Sequence, residues 1–180
     1  MNAPDATARL CIACGLCCNG VLFRDVELQA ADDVARLKAL GLPVKHSSTT
    51  RQSHVPQPCV GLCPDNRCKM YSDRPARCRE FECGLLKEVV ANELDVEDAL
   101  TTIRQTIRKA DRVKALLWQL GNRDKHRPLG ERFRRTCRIV ESTELSEELG
   151  ERFAELTLAV HDLNLLTHSR FYTCEESVEF

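Results

Sequence analysis

The chain lacks any long apolar run. No stretch of its 180 residues approaches the roughly 20 apolar positions that a helix needs to cross a bilayer, and the opening MNAPDATARL has no apolar core of a secretion signal. The expectation is a soluble cytoplasmic protein with no membrane partner. A Gly-rich phosphate loop and a serine-nucleophile motif are also missing, which removes the common phosphate-cradling and acyl-transfer classes. Aromatic residues make up only 5% of the chain, and no platform of them or known nucleic-acid motif accompanies its basic stretch, so nucleic acid is a disfavoured but not excluded partner. Internal repeats, low-complexity tracts and linkers are absent, as suits a single unit long enough to bury a core without covalent staples.

What the chain has in excess is cysteine. It holds eleven, nine of them between Cys11 and Cys83, with only Cys137 and Cys174 beyond. In a reducing compartment, an odd and clustered set reads as metal ligands rather than disulfide partners. The first cluster is CIACGLCC, in which Cys11, Cys14, Cys17 and Cys18 are separated by two residues, two and none. Such spacers let a tight loop, freed by Gly15, turn several sulfurs toward one centre. The second cluster, PCVGLCPDNRCKMYSDRPARCREFEC, supplies Cys59, Cys63, Cys68, Cys78 and Cys83. Four thiolates in a tetrahedron suit zinc, and C-x2-C-x2-C runs also hold iron–sulfur clusters, so spacing leaves the metal open. Nine cysteines suffice for two four-thiolate sites with one left over, and the adjacent Cys17 and Cys18 cannot easily point at the same place. Arg74, Arg77 and Arg79 lie among the last ligands and are candidate donors to thiolate charge, with plain surface exposure as the alternative.

Charge is segregated along the chain. Residues 101–138 carry 12 Lys/Arg against 3 Asp/Glu, a balance of +9, while residues 139–180 carry 2 against 10, a balance of −8. A basic helix packed beside an acidic one accounts for this. The alternative is a basic face for nucleic acid or an acidic partner, centred on GNRDKHRPLGERFRRTCR, which holds Arg132, Arg134 and Arg135.

Hydrophobic spacing sets the remaining expectations. VLFRDVEL, residues 21–28, reads as a short strand. AADDVARLKALG reads as a short amphipathic helix stopped by Gly41, and residues 43–58 as a polar, proline-bounded loop. A long helix is expected after Asp95, carrying Val96, Leu100, Ile103, Ile107, Val113, Leu117 and Leu120 inward until Gly121. A shorter one follows Pro128, with Leu129, Phe133, Cys137 and Val140 on one stripe. A last helix starts near Ser142 or Ser146 and buries Leu149, Phe153, Leu156, Val160 and Leu163. Cys137 reads as a buried small hydrophobe and Cys174 as a terminal bystander.

The opening CIACGLCC, a following Pro-Cys, and the block Cys68, Tyr71, Arg74, Pro75, Cys78, Arg79 and Phe81 within CKMYSDRPARCREF resemble the YkgJ-like CxxCxxCC family of cysteine-cluster proteins, described as zinc- or iron-chelating. The likeness covers residues 11 to about 83. It implies that Cys11, Cys14, Cys17, Cys18, Cys59, Cys68 and Cys78 are metal ligands, with Cys83 close behind. Cys63 departs from the family pattern and is either an alternate ligand or a bystander. Tyr71 and Pro75 look structural, with Pro75 fixing the turn and Tyr71 packing under it.

Rival chemistries fare worse. Cys59-x3-Cys63-x4-Cys68 misses the spacing of a radical-enzyme cluster. A redox pair from Cys11 and Cys14 lacks the strand-to-helix context that activates a thiol. His46 and His54 lie in a polar stretch with nothing to fix them as bases, and His161 and His168 are spaced as surface or core-edge residues. A Lewis-acid enzyme would need an open coordination position and a substrate pocket, and whether the protein is an enzyme stays open. The expected protein is mainly α, an irregular cysteine-rich module at residues 1–84 packed on a small helical bundle at 85–180, the two forming one unit. Its expected role is iron–sulfur or iron binding in electron transfer or as an accessory to a redox or maturation pathway. The alternative is a structural zinc module that presents charged helices to a protein or nucleic-acid partner.

Overall fold

A computed structural model describes residues 3–48, 51–144 and 146–172; Cys174 lies outside them. The protein is mainly α, with a small three-stranded sheet. Helices α1 (Ala3–Cys14), α2 (Val34–Ala39), α3 (Ala76–Glu80) and α4 (Gly84–Val90) surround the cysteine segments, while α5 (Val96–Gln119), α6 (Leu129–Glu141) and α7 (Glu147–Arg170) form the base. Strands β1 (Asp25–Glu27), β2 (Lys45–His46) and β3 (Ser53–Pro56) pair antiparallel in the order β1-β3-β2, with Val26 opposite Val55 and His46 opposite Ser53.

Helix starts follow local chemistry. Asp33, Asp95 and Ser146 each cap a helix by accepting from an amide of its first turn, namely those of Arg36, Glu97 and Leu149. The two 24-residue helices α5 and α7 pack along each other. Between them Lys109 Nζ meets Asp162 Oδ2 at 3.1 Å and Arg112 Nη2 meets Glu155 Oε1 at 3.0 Å. Exposed pairs of this kind contribute at most about 1 kcal/mol each. They pair the basic helix with the acidic one, as the charge segregation suggests, while apolar burial supplies the main attraction.

The main core runs through both halves of the chain. Leu10, Leu16, Val21 and Leu22 from the first cysteine segment share it with Leu85 and Leu86 of α4, Ile103, Val113 and Leu117 of α5, and Leu156 and Leu163 of α7. Two hydrogen bonds tie that segment to the base, and a third ties α4 to it. Tyr172 Oη donates to Leu22 O at 2.6 Å, the Leu129 amide donates to Gly20 O at 2.7 Å, and the Gly84 amide donates to Phe171 O at 3.1 Å. A smaller core of Leu28, Leu37, Leu42, Val55 and Met70 lies under the sheet and α2.

Several expectations are corrected. Residues 43–58 are not all loop: they carry β2 and β3, and the pairing of β3 with β1 on one side and β2 on the other outweighs their polar composition. Helix α1 is unforeseen because its only large apolar anchor is Leu10, next to the cysteines. Leu149 is exposed at the start of α7, one turn before that helix meets the core, and Ala159 and Thr167 take buried positions instead. Cys137 is only half-buried. On α6 the buried face holds Leu129, Arg132 and Thr136. Arg132 is 6% exposed and donates from Nη2 to Asn122 O at 2.8 Å, so it is not part of a solvent-facing basic surface. Asn122 completes that clamp by donating to Arg132 O and Thr136 Oγ1.

Removing the hydroxyl that ties the end of α7 to the cysteine segment, by Tyr172→Phe, leaves the buried Leu22 carbonyl without that donor. The expected loss is about 1–3 kcal/mol of unfolding free energy with helix content unchanged, read by denaturant titration followed by circular dichroism.

Candidate metal centre

Each cysteine segment is positioned by the backbone around it. Cys11 and Cys14 lie three apart in the last turn of α1, hence on one face. Gly15 ends that helix with φ +63°, its amide donating to Cys11 O at 3.1 Å. A Cβ there would also fall 2.5 Å from Asn66 Oδ1, so the second cysteine segment packs directly against this glycine. The chain then coils back, the amides of Cys18 and Asn19 both donating to Gly15 O at 3.0 Å. The spacing therefore acts through a helix end followed by a turn, rather than through a loop alone.

The second segment docks on the first through its main chain, the Cys59 amide donating to Cys18 O at 2.8 Å. Residues 59–69 form a closed loop, with Leu62 bridged to Cys68 and the Lys69 amide donating to Gly61 O at 2.8 Å. Cys78 sits in α3. Asp32 anchors that helix from a distance, its Oδ1 accepting from the Ala76 amide and its Oδ2 from the Gln29 amide, each at 2.8 Å. Cys83 is the residue that starts α4.

Together these segments border one cavity of about 770 Å³, walled by Cys11, Cys14, Cys17 and Cys18 from the first and Cys59, Cys68, Cys78 and Cys83 from the second. Cys63 does not border it. Its amide donates to Arg67 O at 2.8 Å in the loop beyond. Phe23, Met70, Leu85, Ile103 and Phe171 supply apolar wall. Gln57 also borders the cavity; it is buried, and its Oε1 has no hydrogen-bond partner.

The metal-free thiols favour their protonated form. Burial, reinforced by neighbouring cysteines, pushes Cys14 and Cys18 up to about 12, and burial is the main cause that takes Cys78 and Cys83 to about 11. Cys17 is raised well above the ordinary thiol value for the same reason, and Cys11 and Cys59 are raised as well. Backbone amides oppose burial at three sites: that of Leu16 at Cys14, those of Gly61 and Leu62 at Cys59, and those of Leu86 and Leu85 at Cys83. The Gly61 amide lies 3.4 Å from Cys59 Sγ. Arg74 opposes burial at both Cys11 and Cys78. Raised thiols are poor nucleophiles at neutral pH, which agrees with the absence of an activating context at Cys11 and Cys14.

Of the three arginines considered as donors, Arg74 is the one built into the site. Its Nε donates to Tyr71 O at 3.0 Å and its guanidinium stacks 3.7 Å from the Tyr71 ring centre. Arg77 lines the cavity but is exposed, and Arg79 is exposed outside it. Tyr71 is 60% exposed, supporting Arg74 rather than packing under Pro75, which is itself buried at the start of α3. His46 and His54 lie in strands, not in a loop, and neither borders the cavity. His161 and His168 are exposed on α7.

The donor set fits a thiophilic metal: eight sulfurs, amides directed at several of them, and an orphaned buried oxygen on the wall. The model of the family described as "CxxCxxCC: Putative zinc- or iron-chelating domain" matches residues 10–113, more than half of the chain. The chain belongs to the CxxCxxCC family. No curated protein and no solved structure matches it. The CxxCxxCC match runs past the last clustered cysteine through α4 into α5, and so includes Leu85, Leu86 and Ile103 on the cavity wall. Sequence reasoning missed that helical share of the CxxCxxCC site, as well as Gln57, because apolar and amide side chains carry no spacing signature.

Three measurements follow. Thiols whose folded pKa exceeds the unfolded value destabilise the metal-free fold as pH rises. Reduced, demetallated protein is expected to be most stable below pH ~8.5 and to lose stability as pH climbs toward 11–12, in denaturant titrations at stepped pH. Loading metal at neutral pH is expected to release about one proton per thiol engaged, with affinity rising with pH. Cys63→Ser is expected to leave metal content unchanged.

Proposed function

We propose that this protein holds iron through cysteine thiolates, as an iron–sulfur cluster or as iron, and acts in electron transfer or as an accessory to a redox or maturation pathway. The observation that carries this reading is the convergence of eight cysteine side chains on one cavity. Among the described residues, no three Cys, His, Asp or Glu side chains already surround a point closely enough to hold a single ion. The C-x2-C-x2-C run of Cys11, Cys14 and Cys17 is an arrangement that iron–sulfur clusters use.

Iron bound this way supplies one-electron chemistry. The chain's residues do the rest. Phe23, Met70, Leu85 and Phe171 supply apolar wall beside the sulfurs, and the amides of Leu16, Gly61 and Leu62 offset thiolate charge. Arg74, half-buried over Tyr71, offsets charge at Cys11 and Cys78 from the cavity wall. Free thiols at all ten described cysteines suit the reducing cytoplasm, where a protein partner would exchange electrons or a cluster with it. No helix among the described residues is long and apolar enough to cross a membrane.

Protein purified without oxygen is expected to contain iron and acid-labile sulfide and to show the broad visible absorption of sulfur-to-iron charge transfer. A colourless protein with about two zinc ions per chain, the number eight thiolates allow at four per tetrahedral site, would overturn the iron assignment. It would point instead to a structural zinc module. The search for function would then move to the exposed Arg134, Arg135 and Arg138 of α6.

A further inference from the structure

Resting on the metal-binding reading above, we propose that the eight thiolates divide into two four-thiolate metal centres, parted at the peptide between Cys17 and Cys18. Cys11, Cys14, Cys17 and Cys83 form one centre; Cys18, Cys59, Cys68 and Cys78 form the other. Cys63 belongs to neither.

Packing makes the first division. Cys14, Cys17 and Cys83 lie against the main core, whereas Cys59 and Cys68 lie against the smaller core under the sheet. These are two separate apolar clusters with different backbone supports, so the cavity has a wall of thiols on each side. Main-chain geometry assigns the remaining three. Cys11 shares a helix face with Cys14, one turn away. Cys18 is tied to the second side because its carbonyl accepts from the Cys59 amide at 2.8 Å. Cys78 rides on α3, whose first amide is held by Asp32 from the segment between β1 and α2.

The division explains a feature that a single centre leaves without use. Adjacent residues in a turn project their side chains in different directions, so the Cys17–Cys18 pair is poorly suited to a single ion and well suited to bridging two centres. It also gives the first centre the C-x2-C-x2-C run plus one remote cysteine, and the second a set drawn mainly from the other segment. The two centres therefore differ in spacing, backbone support and wall.

The test is a set of full-length variants, produced under iron and purified without oxygen. Metal and sulfide per chain are read beside far-ultraviolet circular dichroism. Cys17→Ser and Cys78→Ser are each expected to lose about half of the metal, as four of eight ligands serve each site. Cys17→Ser with Cys83→Ser is expected to lose no more than either alone, and Cys17→Ser with Cys78→Ser nearly all. Equal losses in the two double variants, or full loss in a single variant that keeps its helix content, overturn the division. Should the variants lose their fold, wild-type protein decides: stepwise metal removal by a chelator, with alkylation and mass spectrometry of the exposed thiols. Release in two successive sets matching the two groups supports the proposal, and release of all eight together overturns it. Wild-type protein that binds no metal overturns the metal-binding reading itself, a result distinct from either.

Discussion

Eight sulfur donors gathered around one cavity repel one another as thiolates and lose hydration when charged. The fold manages this constraint by keeping the metal-free thiols protonated and holding each one from behind by backbone, so that no thiol pair has to supply the cohesion itself. Desolvation is the largest influence on every shifted cysteine that borders the cavity. A divalent or cluster cation reverses that balance. The same crowding that disfavours the thiolates in its absence favours them once it binds, which makes the protein's fold and its metal content linked quantities.

Holding sulfurs at a distance from one another requires rigid supports outside the site. Here they are helix ends. The last turn of α1 presents two cysteines, the start of α4 presents a third, and the single-turn helix α3 presents a fourth. The ends of α1 and α4 are pinned to the long α5 and α7 pair by Leu10, Leu16, Leu22 and Leu85 in the shared core and by Tyr172 and Phe171 at the terminus of α7, while Asp32 holds α3. The opposite charges of α5 and α7 align the two helices but sit at the surface, where solvent screens them. The buried side chains between them, Ile103, Val113, Leu117, Leu156 and Leu163, account for the stability of the base.

The long helices were legible because their apolar residues repeat with the helical period over many turns and their first residues are good caps. Short elements were not. Strand β3 has one buried residue, Val55, and its existence depends on β1, some thirty residues earlier in the chain. Helix α1 is stabilised by packing on α5 and α4, contacts that its own sequence does not announce. Arg132 illustrates the same limit from the other side. Its charge reads as surface, yet the Asn122 turn supplies the acceptors that let it be buried. At the site, the sequence suggests Tyr71 as a packing residue for Pro75, whereas in the fold its ring stacks on Arg74.

The sequence alone determined the chemistry available to this protein. Residue type and spacing are local properties, and eleven cysteines with the CIACGLCC and CKMYSDRPARCREF blocks restrict it to thiol and metal chemistry and mark the family. Which cysteines share a wall was decided only in three dimensions. Cys83, at the start of α4, lines the same cavity as the cysteines of α1 some seventy residues earlier, the Cys18 carbonyl accepts from the Cys59 amide, and Cys63 falls outside the cavity although it lies between two cysteines that line it. Those outcomes depend on where two separate apolar cores place the backbone, and a core is a sum of contacts between residues distant in the chain that no local pattern contains.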